Sequence, residues 1–473
     1  PAEKDADGKR MPHRAYLEIK SSDAQLTKFA SALAEYDREV IAKEVLGKSE
    51  KDLSNQEKQL LDQFLDTPTA SLRNAAPAKG KFPLVLYHSG HGSSFEDNSV
   101  LCEYLASHGY VVLGSAFQHA SGKSFNVDSK EGSARDFEFL IAYAHNLANV
   151  DWDHIGVVGH SGGAHAALFF RSQGNSVVDA VVSLDTTQDY YSLADPRWQY
   201  LTDAVGNNRD NMTGPLLMVA NPHAFFQMAD SLKSARRYYF TIKGLDHNDF
   251  ISQGGIHKDL QYRRRFGDGA KGEERPAKDV EAKEKAELDA VRAGYKALCI
   301  YVLRYFDAYL KGDAAGKDFL AKQHRDTKLG GADPHVEYVP EGTTGPDPYK
   351  GNEDVPPTPR QLRLFLREHG VEKTVALLNR FQKTEPTPPV LSPIFGFALI
   401  YELLDQRKNE DAIAFRNAYR EGGTDIVCKM LMSHGDLYMR LGSKKWAADF
   451  FKKVLALDPD NAEAAKKLKE LEK

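Results

Sequence analysis

The chain has little of what marks disulfide-rich, nucleic-acid-binding or membrane-spanning proteins. Its three cysteines, Cys102, Cys299 and Cys428, lie far apart in 473 residues and show no metal-site or redox-pair spacing. The formal net charge is -5, so the basic excess typical of nucleic-acid binding is missing. No apolar run reaches the roughly eighteen residues that a membrane-spanning helix needs. These absences predict a globular protein, long enough for roughly two or three domains.

The first residues, "PAEKDADGKR", are polar and have no charged segment followed by an apolar one. This start fits either a cytoplasmic protein or a mature chain whose signal peptide has been removed. We favour the second interpretation, a periplasmic or secreted protein, and keep the cytoplasm as the alternative.

Short runs rich in β-branched residues alternate with segments of helical periodicity from about residue 80 onward. Apolar residues recur every three or four positions in "NSVLCEYLASHG" and "ARDFEFLIAYAHNLAN", which indicates crossover helices, and "KALCIYVLRYFDAYLKG" ends at the helix stop Gly312. The pattern predicts an α/β fold with a mostly parallel central sheet flanked by helices. The predicted strands are "FPLVLY", "YVVLGSA", "HIGVVGH", "DAVVSLD", "PLLMVAN" and "YYFTIKG".

We predict three parts along the chain. Residues 1–325 form the catalytic domain, with a helical N-terminal insertion at about 22–66 that is indicated by amphipathic segments. Residues 326–357 are rich in Pro, Gly and Asp and read as a linker. Residues 358–473 are predicted to be all-helical. A fragment ending at 355 should therefore fold and keep its activity.

The last part carries the spacing of one tetratricopeptide-like repeat, with two degenerate repeats before it. Such units stack to bury their apolar faces and commonly present a binding surface, so a protein partner is conceivable for this region. The residues at the small, aromatic and proline positions of the repeat are Gly435, Tyr438, Gly442, Ala447, Phe451 and Pro459.

The stretch "HIGVVGHSGGAHAALFF" holds the candidate nucleophile, Ser161. It follows a β-branched run and precedes a segment of high helix propensity, so the predicted context is strand, sharp turn and helix. Gly159 and Gly163 supply the small side chains that such a turn requires. The motif is short, and a structural serine in a glycine-rich turn is the alternative.

A serine hydroxyl needs a base, and the base needs an orienting carboxylate. His247 follows the strand "YYFTIKG" and is the predicted base, with His257 as its competitor. The end of "PLLMVAN" carries no carboxylate, whereas "DAVVSLD" ends in Asp185, which we therefore predict as the acid. Asp230 and Asp246 are the alternatives.

The oxyanion hole requires two backbone amides. We assign them to Gly162, directly after the nucleophile, and to His91 in the glycine-rich loop after "FPLVLY". Four histidines at predicted strand ends, His88, His91, His119 and His160, make a metal site conceivable. No carboxylate joins them at ligand spacing, so no metal is expected.

Aromatic residues follow Asp185 in sequence. Tyr190, Tyr191 and Trp198, with Tyr200, are either a substrate pocket or the packing of a short lid, and the sequence favours neither interpretation.

The segments "FPLVLYHSGHGSS", "CEYLASHGYVV", "GHSGGA", "SLD" and "DHNDF" resemble the α/β-hydrolases of the dienelactone-hydrolase and platelet-activating-factor-acetylhydrolase-like group, over about residues 80 to 310. The resemblance implies a serine esterase that acts on small-molecule carboxylic esters without a cofactor. It assigns Ser161, Asp185 and His247 as triad, and His91 and Gly162 as oxyanion donors. A peptidase or amidase of the same fold, or a scaffold whose helical repeats bind a partner, are the alternatives.

Overall fold

The chain forms two compact units, each built from discontinuous segments. The first unit comprises Pro1–Asp185, Gly214–Asn221 and Tyr238–Val336, and the second comprises Thr186–Thr213, Pro222–Arg237 and Glu337–Lys473. The computed structural model describes residues 10–16, 24, 28, 35, 38–43, 45–91, 93, 95–114, 127–174, 177–195, 199–266, 278–322, 328–343, 345–421 and 424–471.

The main sheet has seven strands in the order β4-β3-β5-β6-β7-β8-β9 within the described ranges. The pairings of β3 with β4 and β5, of β5 with β6, and of β6 with β7 are parallel, so the prediction of a mostly parallel sheet is confirmed. A separate antiparallel pair joins β1 and β2. The strands are β1 (Arg10–Pro12), β2 (Pro68–Leu72), β3 (Phe82–His88), β4 (Val111–Gly114), β5 (Val150–His160), β6 (Ala180–Leu184), β7 (Gly214–Ala220), β8 (Ala235–Thr241) and β9 (His335–Val339).

Each of the six predicted strands overlaps an observed one, and β9 is an addition that the sequence did not predict. It lies inside the segment 326–357, which the sequence indicated as a linker. Val336 and Val339 of β9 are both buried. Five residues between proline- and glycine-rich neighbours are too short a signal to stand out in the sequence.

None of the helices in the described chain is long and apolar enough to cross a membrane. They are α1 (Asn55–Leu65), α2 (Ser99–Ser107), α3 (Val127–Ala144), α4 (Gly162–Ser172), α5 (Gln199–Asn207), α6 (Gln227–Ser231), α7 (Ser252–Phe266), α8 (Lys278–Leu310), α9 (Ala314–Ala321), α10 (Pro359–Phe381), α11 (Pro393–Asp405), α12 (Asn409–Ala418), α13 (Ile426–Arg440), α14 (Lys444–Leu457) and α15 (Ala462–Leu471).

Helix α8 supplies much of the core of the first unit. Tyr301, Tyr305 and Phe306 are fully buried in one cluster with apolar side chains of the sheet. The helix lies so close to β5 that a Cβ atom built at Gly156 would be 2.6 Å from the ring of Phe306. The predicted stop at Gly312 fits, since α8 ends at Leu310 and Gly312 has a φ of +64°.

The predicted helical insertion at about 22–66 is partly described. Residues 38–43, 45 and 46 are helical and α1 follows, whereas most of 22–37 lies outside the described residues. Ser54 caps α1 in a reciprocal capping box with Glu57, so the helix begins where two of its free amides find acceptors. Ile41, Leu61 and Leu260 share a small apolar cluster, which packs this segment against α7.

The helices α10 to α15 form most of the second unit, so the prediction of a helical C-terminal region is confirmed. A short hairpin of Arg420–Glu421 and Thr424–Asp425 is the departure from an all-helical region. Helices α13 and α14 pack so closely that a Cβ atom at Gly435 would lie 2.4 Å from the ring of Phe451. Ala447 and Phe451 are fully buried.

The second unit also contains segments from the middle of the chain. For this reason we no longer expect a fragment ending at residue 355 to fold and keep its activity. Phe225 is fully buried and its ring lies 5.5 Å from that of Phe395. The Asp230 carboxylate pairs with Arg360 at 2.7 Å, and the Arg360 side chain is 3% exposed. These contacts join residues 222–237 to helices that a cut at 355 would remove.

We therefore expect the fragment 1–355 to give little soluble protein. Removing the partners of buried residues such as Phe225 exposes apolar area and deprives the Asp230 carboxylate of its ion pair with Arg360. Loss of one buried phenylalanine contact set alone costs about 3–5 kcal/mol. Soluble yield and the thermal unfolding transition measure the effect. Co-expression of 356–473 as a separate chain is the control and should restore the yield. A soluble, cooperatively unfolding fragment would contradict this prediction.

Candidate active site

Ser161 lies in a sharp turn between β5 and α4. Its φ of +52° and ψ of -116° are unusual for a residue with a side chain. The Ser161 amide donates to the carbonyl oxygen of Leu184 at the end of β6, 3.0 Å away, which holds the turn against the sheet. A strained serine at a strand-to-helix turn is the geometry that exposes a nucleophilic hydroxyl above a parallel sheet.

Two glycines make this turn sterically feasible, for the reason predicted from the sequence. A Cβ atom at Gly159 would lie 2.2 Å from the carbonyl oxygen of Gly163, because the chain doubles back on itself. A Cβ atom at Gly163 would lie 2.2 Å from the carbonyl oxygen of His88 and 2.5 Å from that of Ser89. The start of α4 therefore packs directly on the end of β3.

We expect Gly163→Ala to lower the free energy of unfolding by about 3 kcal/mol or more, because the obstructing atoms belong to backbone that cannot turn aside. The denaturant midpoint measures the effect. Gly132→Ala is the matched control: it lies in α3 with open space around it, and should raise stability by about 0.5–1 kcal/mol. Equal stability of the two variants would show that the turn has room for a methyl group.

The structure brings Asp185 and His247 together. Asp185 follows β6, and its Oδ2 lies 2.7 Å from Nδ1 of His247. The Asp185 side chain is 4% exposed, whereas that of His247 is 45% exposed. A buried carboxylate at this distance fixes the ring orientation and places the proton on Nδ1, which leaves Nε2 as the basic nitrogen.

The loop of His247 is itself held in place from two sides. Asp246 and Asp249 form a reciprocal capping box around the short 3-10 helix His247–Phe250. The start of α7 presses on it, since a Cβ atom at Gly254 would lie 2.1 Å from the carbonyl oxygen of Asn248. The backbone of the candidate base is therefore well defined.

The alternative acids and the alternative base have other surroundings. Asp246 is 84% exposed and pairs with Lys258 at 2.9 Å, and Asp230 pairs with Arg360 in the second unit. His257 lies in α7, where burial and, to a smaller extent, the nearby His13 lower its pKa to about 4. Of the three carboxylates considered from the sequence, Asp185 is the one whose hydrogen bond to His247 the structure records.

The two predicted oxyanion donors belong to two segments that pass close to Ser161. Gly162 is the first residue of α4, where backbone amides have no partner within the helix and favour negative charge. His91 is exposed in the loop after β3, directly after Gly90. A Cβ atom at Gly90 would lie 3.3 Å from the Cβ of Ser161, so this loop passes close to the nucleophile.

A buried carboxyl group that sequence reasoning missed anchors the loop of His91. Asp97 is 2% exposed, and the Tyr87 hydroxyl donates to its Oδ1. Burial raises the pKa of Asp97 to about 8, while hydrogen bonds from Tyr87, the Gly90 amide and Ser93 oppose that rise. At neutral pH Asp97 is therefore largely a neutral acid beneath the loop. Its position before α2 gave no signal in the sequence.

The histidines at the strand ends hold separate positions. His88 is fully buried and its Nε2 lies 2.9 Å from Ser133 Oγ. His160 contacts the backbone of His247, with its Nε2 at 3.1 Å from that carbonyl oxygen. His119 lies outside the described residues. Within the described ranges, no group of three or more histidine, cysteine, aspartate or glutamate side chains is placed to hold a metal ion.

The structure describes three of the four aromatic residues that were candidates for a substrate pocket. Tyr191 packs on the helices of the second unit, with its ring 5.6 Å from Phe397, which favours the packing interpretation for this residue. Tyr190 is buried, and its ring lies 5.1 Å from His223 of the same unit. Tyr200 is half-buried in α5. Trp198 lies outside the described residues, so its part in a pocket stays a prediction.

No family model and no curated protein matches the chain. Among solved structures, the ferulic acid esterase from Streptomyces cinnamoneus is 20% identical with a TM-score of 0.38, covering 59% of this chain and 78% of that one. Est1E from Butyrivibrio proteoclasticus is 16% identical with a TM-score of 0.29, covering 39% and 87%. The Pyrococcus horikoshii acylaminoacyl peptidase is 13% identical with a TM-score of 0.31, covering 40% and 38%. Because these identities and TM-scores are low, the function has to be inferred from the geometry of the site.

Proposed function

We propose that this protein is a serine hydrolase of the α/β-hydrolase fold that cleaves carboxylic esters through an acyl-enzyme intermediate. The observation that carries the proposal is the 2.7 Å contact between Asp185 Oδ2 and His247 Nδ1, at the sheet edge where Ser161 occupies a strained turn. Nucleophile, acid and base follow β5, β6 and β8, and they keep the chain order of this hydrolase class.

In the proposed reaction Ser161 Oγ attacks the ester carbonyl carbon while its proton passes to His247 Nε2. The oxyanion of the tetrahedral intermediate accepts hydrogen bonds from the amides of Gly162 and His91. Collapse breaks the bond to the alcohol oxygen, which takes the proton from His247 and leaves. Water then attacks the acyl-enzyme with His247 again as the base, and the acid and free Ser161 are released.

Asp185 is proposed to act through His247. Its negative charge stabilises the imidazolium that forms in both steps, and its hydrogen bond keeps the ring in the productive tautomer. The position of the acid, after the strand adjacent to that of the nucleophile, also supports placement in the dienelactone-hydrolase and platelet-activating-factor-acetylhydrolase-like group. The tetratricopeptide-like character of α13 to α15 is a further proposal, supported by the close contact of Gly435 with Phe451.

The test is a substrate panel on the full chain. p-Nitrophenyl esters of graded acyl length are compared with p-nitroanilides of the same acyl groups, and a fluorophosphonate probe reports the nucleophile. We expect labelling, and a kcat/KM for esters that exceeds that for the matched anilides by at least about 100-fold. Anilide cleavage as fast as ester cleavage would favour the peptidase or amidase alternative. A wild-type protein that is neither labelled nor active would overturn the hydrolase proposal.

A further inference from the structure

His160 immediately precedes the candidate nucleophile and has no part in the reaction described above. It ends β5, and its side chain is 2% exposed. Its Nε2 lies 3.1 Å from the main-chain carbonyl oxygen of His247, and the two imidazole rings have centroids 4.7 Å apart. Because a carbonyl oxygen can only accept a hydrogen bond, Nε2 of His160 carries the hydrogen and Nδ1 carries a lone pair.

The opposite side of the His160 ring faces the loop after β3. A Cβ atom at Gly90 would lie 3.0 Å from His160 Nδ1, so the ring fills the space up to the Gly90 backbone. This Nδ1 is buried and has no hydrogen-bond partner among the residues that the structure describes. A buried acceptor without a hydrogen-bond partner costs free energy. We therefore attribute the presence of His160 to the shape of its ring and to the hydrogen bond that its Nε2–H donates.

The charge state of His160 suits a place beside a group that becomes positive. Burial and, to a smaller extent, the neighbouring His247 lower the pKa of His160 to about 3, although its hydrogen bond to the His247 carbonyl acts in the opposite direction. The charged group in contact with the His247 ring is Asp185, at Nδ1. The loop of His247 itself carries Asp246 and Asp249, which both pair with Lys258. His160 therefore stays neutral while His247 takes up and releases its proton.

We propose that His160 is a positioning residue for the catalytic base: its Nε2–H holds the main-chain carbonyl of His247, and its ring braces the base loop against Gly90. This inference rests on the proposed hydrolase function. Half of the His247 side chain is open to solvent, so the Asp185 contact and the backbone position together determine where Nε2 points. A displacement of about 0.5 Å at such a site is enough to slow proton transfer.

Two substitutions separate the hydrogen bond from the packing. His160→Gln keeps an N–H donor near the place of Nε2, whereas His160→Leu keeps apolar volume and loses the donor. We expect His160→Leu to lower kcat for an activated ester by about 10- to 100-fold with KM within about threefold, and His160→Gln to recover most of the loss. His257→Leu, which removes another buried histidine of the same unit, is the control and should leave kcat unchanged.

A second readout needs no turnover. The Nδ1–H proton of His247, which is hydrogen-bonded to Asp185, is followed by NMR of protein labelled with 15N at histidine, in a Ser161→Ala background. Loss of the Nε2–H bond loosens the Asp185 contact, so this resonance should shift and its proton should exchange faster with solvent in His160→Leu, and both should return in His160→Gln. If wild-type protein is neither labelled nor active and His160→Leu still changes the His247 resonance, the hydrolase proposal is wrong. The inference that His160 positions His247 would then still hold.

Two outcomes would overturn the inference itself. One is a His247 Nδ1–H resonance whose position and solvent exchange are the same with His160 and with His160→Leu, whatever the enzyme activity. The other is an equal loss of kcat in the Leu and Gln variants that follows their melting temperatures, because this would show that His160 contributes to stability alone.

Discussion

Ser161→Ala is expected to abolish covalent labelling by a fluorophosphonate and to lower ester turnover by about 10⁴- to 10⁶-fold, the scale at which loss of a triad nucleophile leaves only the contributions of binding and of the oxyanion hole. The fold should persist, because Ser161 is partly exposed and belongs to no core cluster. Alanine and serine pay similar strain at a φ of +52°, so the turn keeps its shape. Mass spectrometry of the probe-treated protein measures the covalent labelling, and a melting curve measures whether the fold persists.

Ser172→Ala is the matched control for this experiment. It removes a hydroxyl from the other end of α4, where Ser172 Oγ donates to the carbonyl oxygen of Phe169 at 2.7 Å. We expect normal labelling and normal turnover. A Ser161→Ala protein that still reacts with the probe would mean that another side chain is the nucleophile.

Asp185→Asn should lower kcat by about 10³- to 10⁴-fold with a much smaller change in KM. Asparagine cannot stabilise the imidazolium, and its amide can hold the His247 ring in the wrong tautomer. The backbone is compatible with the change, since Asp185 has a φ of +45° and asparagine tolerates the left-handed region. Steady-state kinetics on an activated ester, with thermal unfolding alongside, separates the catalytic loss from loss of fold.

The other two carboxylates provide contrasting controls. Asp246→Asn should stay within about tenfold of wild type, because asparagine can still cap the 3-10 helix and the lost pair with Lys258 is exposed. Asp230→Asn should act on stability, since it leaves the buried Arg360 guanidinium with a weakened partner. An Asp246→Asn variant as inactive as Asp185→Asn would remove Asp185 from its proposed role.

Much of the first unit could be read from local patterns. Runs of β-branched residues predicted six strands of the main sheet, because buried parallel strands read as continuous apolar segments. The glycines around Ser161 predicted a crowded turn, and the structure shows backbone atoms 2.2 Å from where a Cβ at Gly159 or Gly163 would stand. The chain order of Ser161, Asp185 and His247 placed three candidates at one sheet edge, since carboxyl ends of parallel strands meet there.

Local sequence patterns could not predict which segments of the chain make up the second unit. Nothing in the sequence near Asp230 indicates that its partner is Arg360, 130 positions away, nor that Phe225 packs against Phe395. Such contacts depend on how the chain returns to itself, which neither periodicity nor propensity encodes. For the same reason the strand His335–Val339 was predicted as linker.

By itself the sequence determined which residue types stand at which strand ends, because strand, turn and helix preferences are local. Tertiary structure decided their relationships: that Asp185, rather than Asp230 or Asp246, contacts His247 at 2.7 Å, and that His160 lies against the His247 carbonyl. A hydrogen bond requires two groups within about 3 Å. That condition is met between residues 62 and 87 positions apart here only after the parallel sheet has brought their strand ends together.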